Sequence, residues 1–127
     1  MIEISRSMSP GTIAIHLRGE VSGRDFCAFI ERALCDGAAE RLRVLTDWRE
    51  LKPRSLSDWS VETLCPWIIA AGRIERVAIV HQAVWNRRAA LLAAVLRKED
   101  VLVRSWKPEC THLALQWLGL QLHDIDH

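Results

Sequence analysis

The chain has 127 residues, half of them hydrophobic, with 17 Lys and Arg set against 16 Asp and Glu and a formal net charge of +1. A chain of that length builds one hydrophobic core and has no room for a second. Its apolar content excludes the disordered regime, and its charge balance removes any global pull toward nucleic acid or an anionic membrane surface.

In chain order, residues 2 to 18 read as two antiparallel strands, because Ser9-Pro10-Gly11 supplies a turn and Ile13, Ile15 and Leu17 alternate with Thr12, His16 and Arg18. A helix follows. Ser22 caps it with Asp25 three residues on, Phe26, Phe29, Ile30, Ala33 and Leu34 form its apolar stripe, and Gly37 stops it. Leu42 to Asp47 is a strand. The next helix is predicted over Ser57 to Ala71, capped by Ser57 and broken or kinked at Pro66, which lacks the N–H that a helix interior needs. Arg76 to His81 is a strand whose unbroken run Val77-Ala78-Ile79-Val80 suits a sheet covered on both faces. A helix over Ala83 to Leu96, a short strand over Val101 to Arg104 and a helix over Pro108 to Leu118 complete the chain. The order β-β-α-β-α-β-α-β-α predicts a single α/β domain over residues 1–120, with a mostly parallel sheet reached by right-handed crossovers. The tail, residues 121–127, is expected to be loosely ordered.

The longest apolar runs are about eight residues against the roughly 20 that a bilayer requires, so no membrane span is expected. Met1-Ile2-Glu3-Ile4 has no signal-peptide character, which points to the cytoplasm. Cys27, Cys35, Cys65 and Cys110 include no C-x-x-C pair and read as buried free thiols. The tail string His123-Asp124-Ile125-Asp126-His127 suits adventitious metal binding only, so neither metal nor cofactor is expected. Fourteen of the 17 basic residues are Arg, but the doublets Arg87-Arg88 and Arg97-Lys98 lack the aromatic interleaving of an RNA-binding sheet and read as a solvated helix face.

Ligands of open α/β sheets gather outside the carboxyl ends of the parallel strands, which directs attention to Asp47-Trp48, His81-Gln82 and Ser105-Trp106. Asp47, Ser57 and His81 could in principle make a nucleophile, base and orienter, but no G-x-S-x-G elbow is present and catalysis is not expected. An anion could sit where Lys52-Pro53-Arg54-Ser55 leads to the second helix, although Ser57 as a plain cap explains the same string. Six Trp are present, and Trp48, Trp59, Trp67, Trp85 and Trp106 fall on or near the strand-end side or its flanking helices. The second and third helices are apolar on more than one face, which calls for a partner subunit, an apolar ligand or an adjacent helix. The candidate ligand-binding set is therefore Asp47, Trp48, Ser57, Trp59, Trp67, His81, Trp85 and Trp106, around an apolar crevice that would take a small molecule or lipid. A homodimer is the alternative cover for the same surface.

Several strings, in order, resemble the SpoIIAA-like branch of the STAS and CRAL-TRIO-related domains: Leu17-Arg18-Gly19-Glu20-Val21-Ser22, Leu45-Thr46-Asp47-Trp48-Arg49, Arg73 to Val80, Trp85 opening the third helix, and Ala114 to Leu118. The resemblance implies a five-stranded mixed sheet with about four helices, helices predominantly on one face, and a cytoplasmic, non-enzymatic and often dimeric protein that binds apolar ligands. Founding members of the family antagonise anti-sigma factors and are switched by phosphorylation of a serine in an Asp-Ser-Ser-Gly run at the start of the second helix. Aligned from Asp47 without gaps, this chain carries Ser55-Leu56-Ser57-Asp58 there, with Leu56 at the phosphorylated position. The protein-binding regulator is thus the alternative function, without the usual serine, and whether Ser55 or Ser57 is phosphorylated stays open.

Overall fold

A computed structural model of the chain describes residues 1–6, 11–34 and 41–119. The opening hairpin forms as the alternation requires, β1 (Ile2–Arg6) pairing antiparallel with β2 (Thr12–Gly19) so that Ile4 lies opposite Ile15. Three further strands, β3 (Leu42–Leu51), β4 (Ile74–Val80) and β5 (Leu102–Trp106), add in parallel to give one five-stranded sheet in the order β1-β2-β3-β4-β5. Each crossover steps to the next place in the sheet, so a single right-handed sense puts α1 (Gly23–Leu34), α2 (Cys65–Ala70) and α3 (Asn86–Arg97) on the same face. The last helix, α4 (Thr111–Trp117), has no strand to follow it and folds back onto the opposite face.

Strand residues divide accordingly. Val77 and Ile79 join Ile13, Ile15, Leu17, Phe26, Ile30, Trp48, Trp67 and Leu92 in the larger core, whereas Ala78 and Val80 meet Leu45, Ala114, Leu115 and Leu118 in the smaller one. Both faces of β4 are therefore dry, which is why its sequence is apolar without alternation. β3 runs four residues past the predicted end at Asp47, because its pairing with β2 resumes beyond an irregularity at Arg18↔Glu50 and Gly19↔Leu51. The third and fourth helices each open with a 3-10 turn, Ala83–Trp85 and Pro108–Cys110, and Gly119 ends the last one at φ 84°.

The predicted second helix is the main correction. Only Cys65–Ala70 is α-helical, and the residues before it wind through turns. Local side chain to backbone bonds win there: Ser60 Oγ accepts the Thr63 N–H, Thr63 Oγ1 donates to the Asp58 carbonyl, and Leu56 sits at φ 57°. Pro66 starts the helix rather than kinking it. Ser57 is consequently no N-cap. The entry residue of α2 is Leu64, with no side-chain cap, and Ser57 is exposed with no hydrogen bond among the described residues. The anion site imagined at a helix start beside Ser57 goes with it.

The winding also absorbs the expected surplus of apolar surface, since Leu56, Leu64 and Trp67 all turn into the core and leave Val61 and Ile69 outside. Among the cysteines expected to be buried, Cys27 is buried and pushed up to about 12 by burial, with Asp58 and Cys65 nearby adding to the rise. Cys65 is exposed and Cys110 half-buried. Ser9, Pro10, Cys35, Gly37 and the tail 121–127 lie outside the described residues. No helix among the described residues is long and apolar enough to cross a membrane.

Candidate functional site

The carboxyl ends of β3, β4 and β5 carry the predicted residues, and the alternation of each strand sends them to different places. Trp48 points to the helical layer and is fully buried; its indole N–H donates to Thr46 Oγ1 at 2.7 Å. Phe26 is the hub of this layer. Trp48 and Trp67 meet it edge-on, at centroid separations of 6.3 and 5.6 Å, and Trp59 stacks on it at 6.0 Å while its own N–H donates to the Arg88 carbonyl. Trp85 is buried beside them, with the Arg88 guanidinium 5.4 Å from its ring centre. Trp48, Trp67 and Trp85 are core residues, and Trp59 is half-buried against the same hub. Among the described residues, none of the four lines the cleft at the ends of β4 and β5.

Asp47 points to the other face. His16 Nδ1 lies 2.9 Å from one carboxylate oxygen, and Arg49 closes a two-pronged contact through Nε and Nη2, each at 2.9 Å, adding its backbone N–H at 3.0 Å. Burial would raise the pKa of Asp47, but these hydrogen bonds and the guanidinium charge outweigh it and hold the carboxyl well below the usual carboxylate range. The carboxylate is thereby committed. His81, 8% exposed, donates from Nδ1 to the Gln82 carbonyl at 2.8 Å, and its backbone N–H bonds the Trp106 carbonyl across the strand ends. Asp47, Ser57 and His81 share no hydrogen bond, so the triad is not assembled.

Two of the predicted residues do come together. His81 and Trp106 line an open cleft of about 580 Å³ between the ends of β4 and β5. Gln82, Ala83 and Asn86 bring one wall from the start of the third helix; Ser105, Lys107, Pro108 and Glu109 bring the other. Trp106 is half-buried and packs on Trp117 at 5.3 Å, so its ring is fixed by the fourth helix. Gln82 and Ser105 are visible as strand ends in the sequence. Asn86 and Glu109 carry no signal in the sequence, whereas Lys107 is reached by following β5 to the turn that Pro108 enforces.

Around the serines, the geometry is structural. Ser55 is buried; its Oγ accepts the Val21 N–H at 2.9 Å and donates to the Gly19 carbonyl at 3.1 Å. Asp58 takes the N–H groups of Gly23 and Arg24 at the start of α1, and these bonds hold its carboxyl below the ordinary value against the opposing effect of burial. Leu56 is fully buried.

The SpoIIAA-like family model matches residues 12–119. No match was found among curated proteins. Among solved structures, the chain is similar to an uncharacterised protein of the DUF3478 family with a SpoIIAA-like fold from Shewanella loihica PV-4, at 21% identity and a TM-score of 0.60, covering 93% of this chain and 92% of that one.

Proposed function

Because this chain belongs to the SpoIIAA-like family, we propose that it is a cytoplasmic, non-catalytic binding module that holds a small apolar or amphipathic molecule, of which a lipid is one case, in the cleft between β4 and β5. One observation carries the reading: the cleft of about 580 Å³ opens at the carboxyl ends of two parallel strands, where open α/β sheets take their ligands. Trp106 supplies apolar surface, and His81, Gln82, Asn86 and Ser105 supply the few polar groups that orient a ligand. Non-catalytic use agrees with Asp47 being committed to His16 and Arg49 and with Ser55 being closed into the backbone.

Titration of ¹⁵N-labelled protein with octanoate and benzyl alcohol tests this. Saturable amide shifts centred on Ser105 and Trp106, weakened in Trp106→Phe, are expected; shifts spread evenly over the surface, or none, would sink the cleft. A protein-binding regulator of the anti-sigma antagonist type is the second reading, and it draws on the exposed Ser57, next to the buried Leu56 and four residues before the exposed Val61. In that case a partner's footprint falls on Ser57 and Val61 and leaves the cleft unmoved. A second copy of the chain is the proposed partner at Val61 and Ile69.

A further inference from the structure

Parallel pairing of β3 with β4 gathers two arginine pairs that are distant in the sequence, Arg41 with Arg43 and Arg73 with Arg76. They meet at the amino ends of these strands, at the opposite end of the sheet from the cleft. Arg43 and Arg76 are direct cross-strand partners, an arrangement of like charges that costs stability unless something offsets it. Two things do. Glu75 accepts from Arg43 Nε at 2.6 Å and lies 3.9 Å from Arg76 Nε, while the end of α4 offers the carbonyls of Leu118 and Trp117 to the Nη1 groups of Arg43 and Arg76 at 2.9 and 2.8 Å. The hydrogen bond from Arg43, with the charges of Arg43, Arg76 and Arg41, holds the Glu75 carboxyl below its ordinary value. One carboxylate thus stands among four guanidinium groups. Arg41 is exposed and donates to the Ile74 carbonyl at 3.0 Å. Arg73 is half-buried; its Nη1 is fully buried with no hydrogen-bond partner, and Arg76 Nε is in the same unmet state. Among the described residues neither Arg41 nor Arg73 forms an ion pair.

We propose that this end of the sheet docks a short acidic segment of a partner protein, with Arg41 and Arg73 taking its Asp or Glu carboxylates. A buried donor without a partner is a standing demand in a folded protein. Because the Arg73 side chain is only half-buried, turning its fork outward to a carboxylate gives the orphan nitrogen the bond it lacks, and the planar fork matches a carboxylate in two-pronged contact. Arg43 and Arg76, fixed by α4, add attraction beside it. Scale separates this occupant from nucleic acid. Two adjacent strands about 5 Å apart, with two or three residues used along each, span roughly 10 Å, which suits one or two carboxylates and is too short to follow a run of phosphates. The aromatic ring at this end, Trp117, is already engaged, with the Arg76 guanidinium 5.1 Å from its centre and Trp106 packed on it, so it is no open platform for a base. A net charge of +1 gives the chain no long-range field, so the attraction is local and screened beyond about 10 Å at about 0.1 M salt. The face lies apart from the cleft and stands or falls without it.

The test is titration of the ¹⁵N-labelled protein at low ionic strength with hexaglutamate, against sodium chloride at matched ionic strength, a short DNA duplex and phosphatidylglycerol vesicles. Saturable shifts of the amides of Arg41, Arg43, Ile74, Glu75 and Arg76 with hexaglutamate, leaving Ser105 and Trp106 unmoved, are expected. Arg73→Gln removes the fork with the unmet nitrogen and should weaken hexaglutamate about tenfold; Arg73→Lys, which keeps the charge and loses the fork, should weaken it about threefold. Arg41→Gln, at an exposed residue, should weaken it severalfold and provides the check if Arg73→Gln misfolds. Arg54→Gln, exposed beyond the other end of β3, should leave binding unchanged. A loss in Arg54→Gln equal to that in Arg73→Gln would reduce the effect to general charge and overturn the docking face. So would shifts spread over the whole surface, no saturable response, or the duplex or the vesicles binding through the same arginines more tightly than hexaglutamate.

Discussion

Ser55 and Ser57 are two positions apart and have opposite fates. Ser55 closes two buried backbone groups with one hydroxyl, so Ser55→Ala leaves the Val21 N–H and Gly19 carbonyl short of a partner and should cost about 1–3 kcal/mol. Ser57→Ala removes an exposed hydroxyl without a bond and should change stability by less than about 0.5 kcal/mol. Urea denaturation of both variants separates them; equal losses would contradict the assignment. Asp47 makes a pH prediction. Its folded pKa is depressed below the unfolded value of about 3.9, so its contribution to stability is present above that value and drains away as pH falls toward the folded one. Wild type should therefore be more stable than Asp47→Asn at pH 7, and the gap should narrow as the pH drops below about 4. A gap that stays constant down to pH 2 would contradict the pairing.

At the scale of elements, α1 is held by residues that no local reading connects. Ser22 Oγ accepts the Asp25 N–H, which the capping string makes legible, but the Gly23 and Arg24 N–H groups are satisfied by Asp58 from a turn 34 or 35 positions away. Gly23 is needed for that approach. A Cβ there would lie 2.9 Å from Asp58 Oδ1 and 3.0 Å from the Trp59 ring. Gly23→Ala should thus destabilise by about 1–3 kcal/mol despite the helix preference for Ala, and Asp58→Ala by about 1–2 kcal/mol. Thermal unfolding is the measure, and a stabilised Gly23→Ala would refute the close packing. The strands and three of the four helices were legible because their periodicity is strong. The second helix was not, since Leu56, Trp59 and Leu64 read with Trp67 as an all-round apolar helix, when in fact only Trp67 is helical and the other three are drawn inward from the turns before it. The same ambiguity hid the site: five Trp near strand ends suggested a crevice, yet three fill the core, one leans on Phe26 and only Trp106 meets the cleft. α4 shows a related limit, because Arg43 and Arg76 reach from the sheet to bond the carbonyls of Leu118 and Trp117 at its C-terminal end, a support invisible along the sequence.

For the molecule as a whole, the proposed pairing of two copies rests on Val61, 54% exposed, and Ile69, 70% exposed. Sedimentation at high micromolar concentration should give twice the chain mass for wild type and a single chain mass for Ile69→Lys; a monomeric wild type would remove the dimer. The sheet has a consequence of its own. Every strand lies beside its sequence neighbours, and no later strand inserts between two earlier ones. The sheet can therefore grow by accretion, in the direction of synthesis, each βα unit docking on an edge that already exists. Closing a long loop is never a precondition for the next step, so the entropic cost of assembly is spread over short closures. The growing edge is finally turned away from further addition by Arg97, whose Nη2 occupies the Val103 carbonyl of β5 at 2.8 Å. One arginine thus helps mark where a repeating process ends.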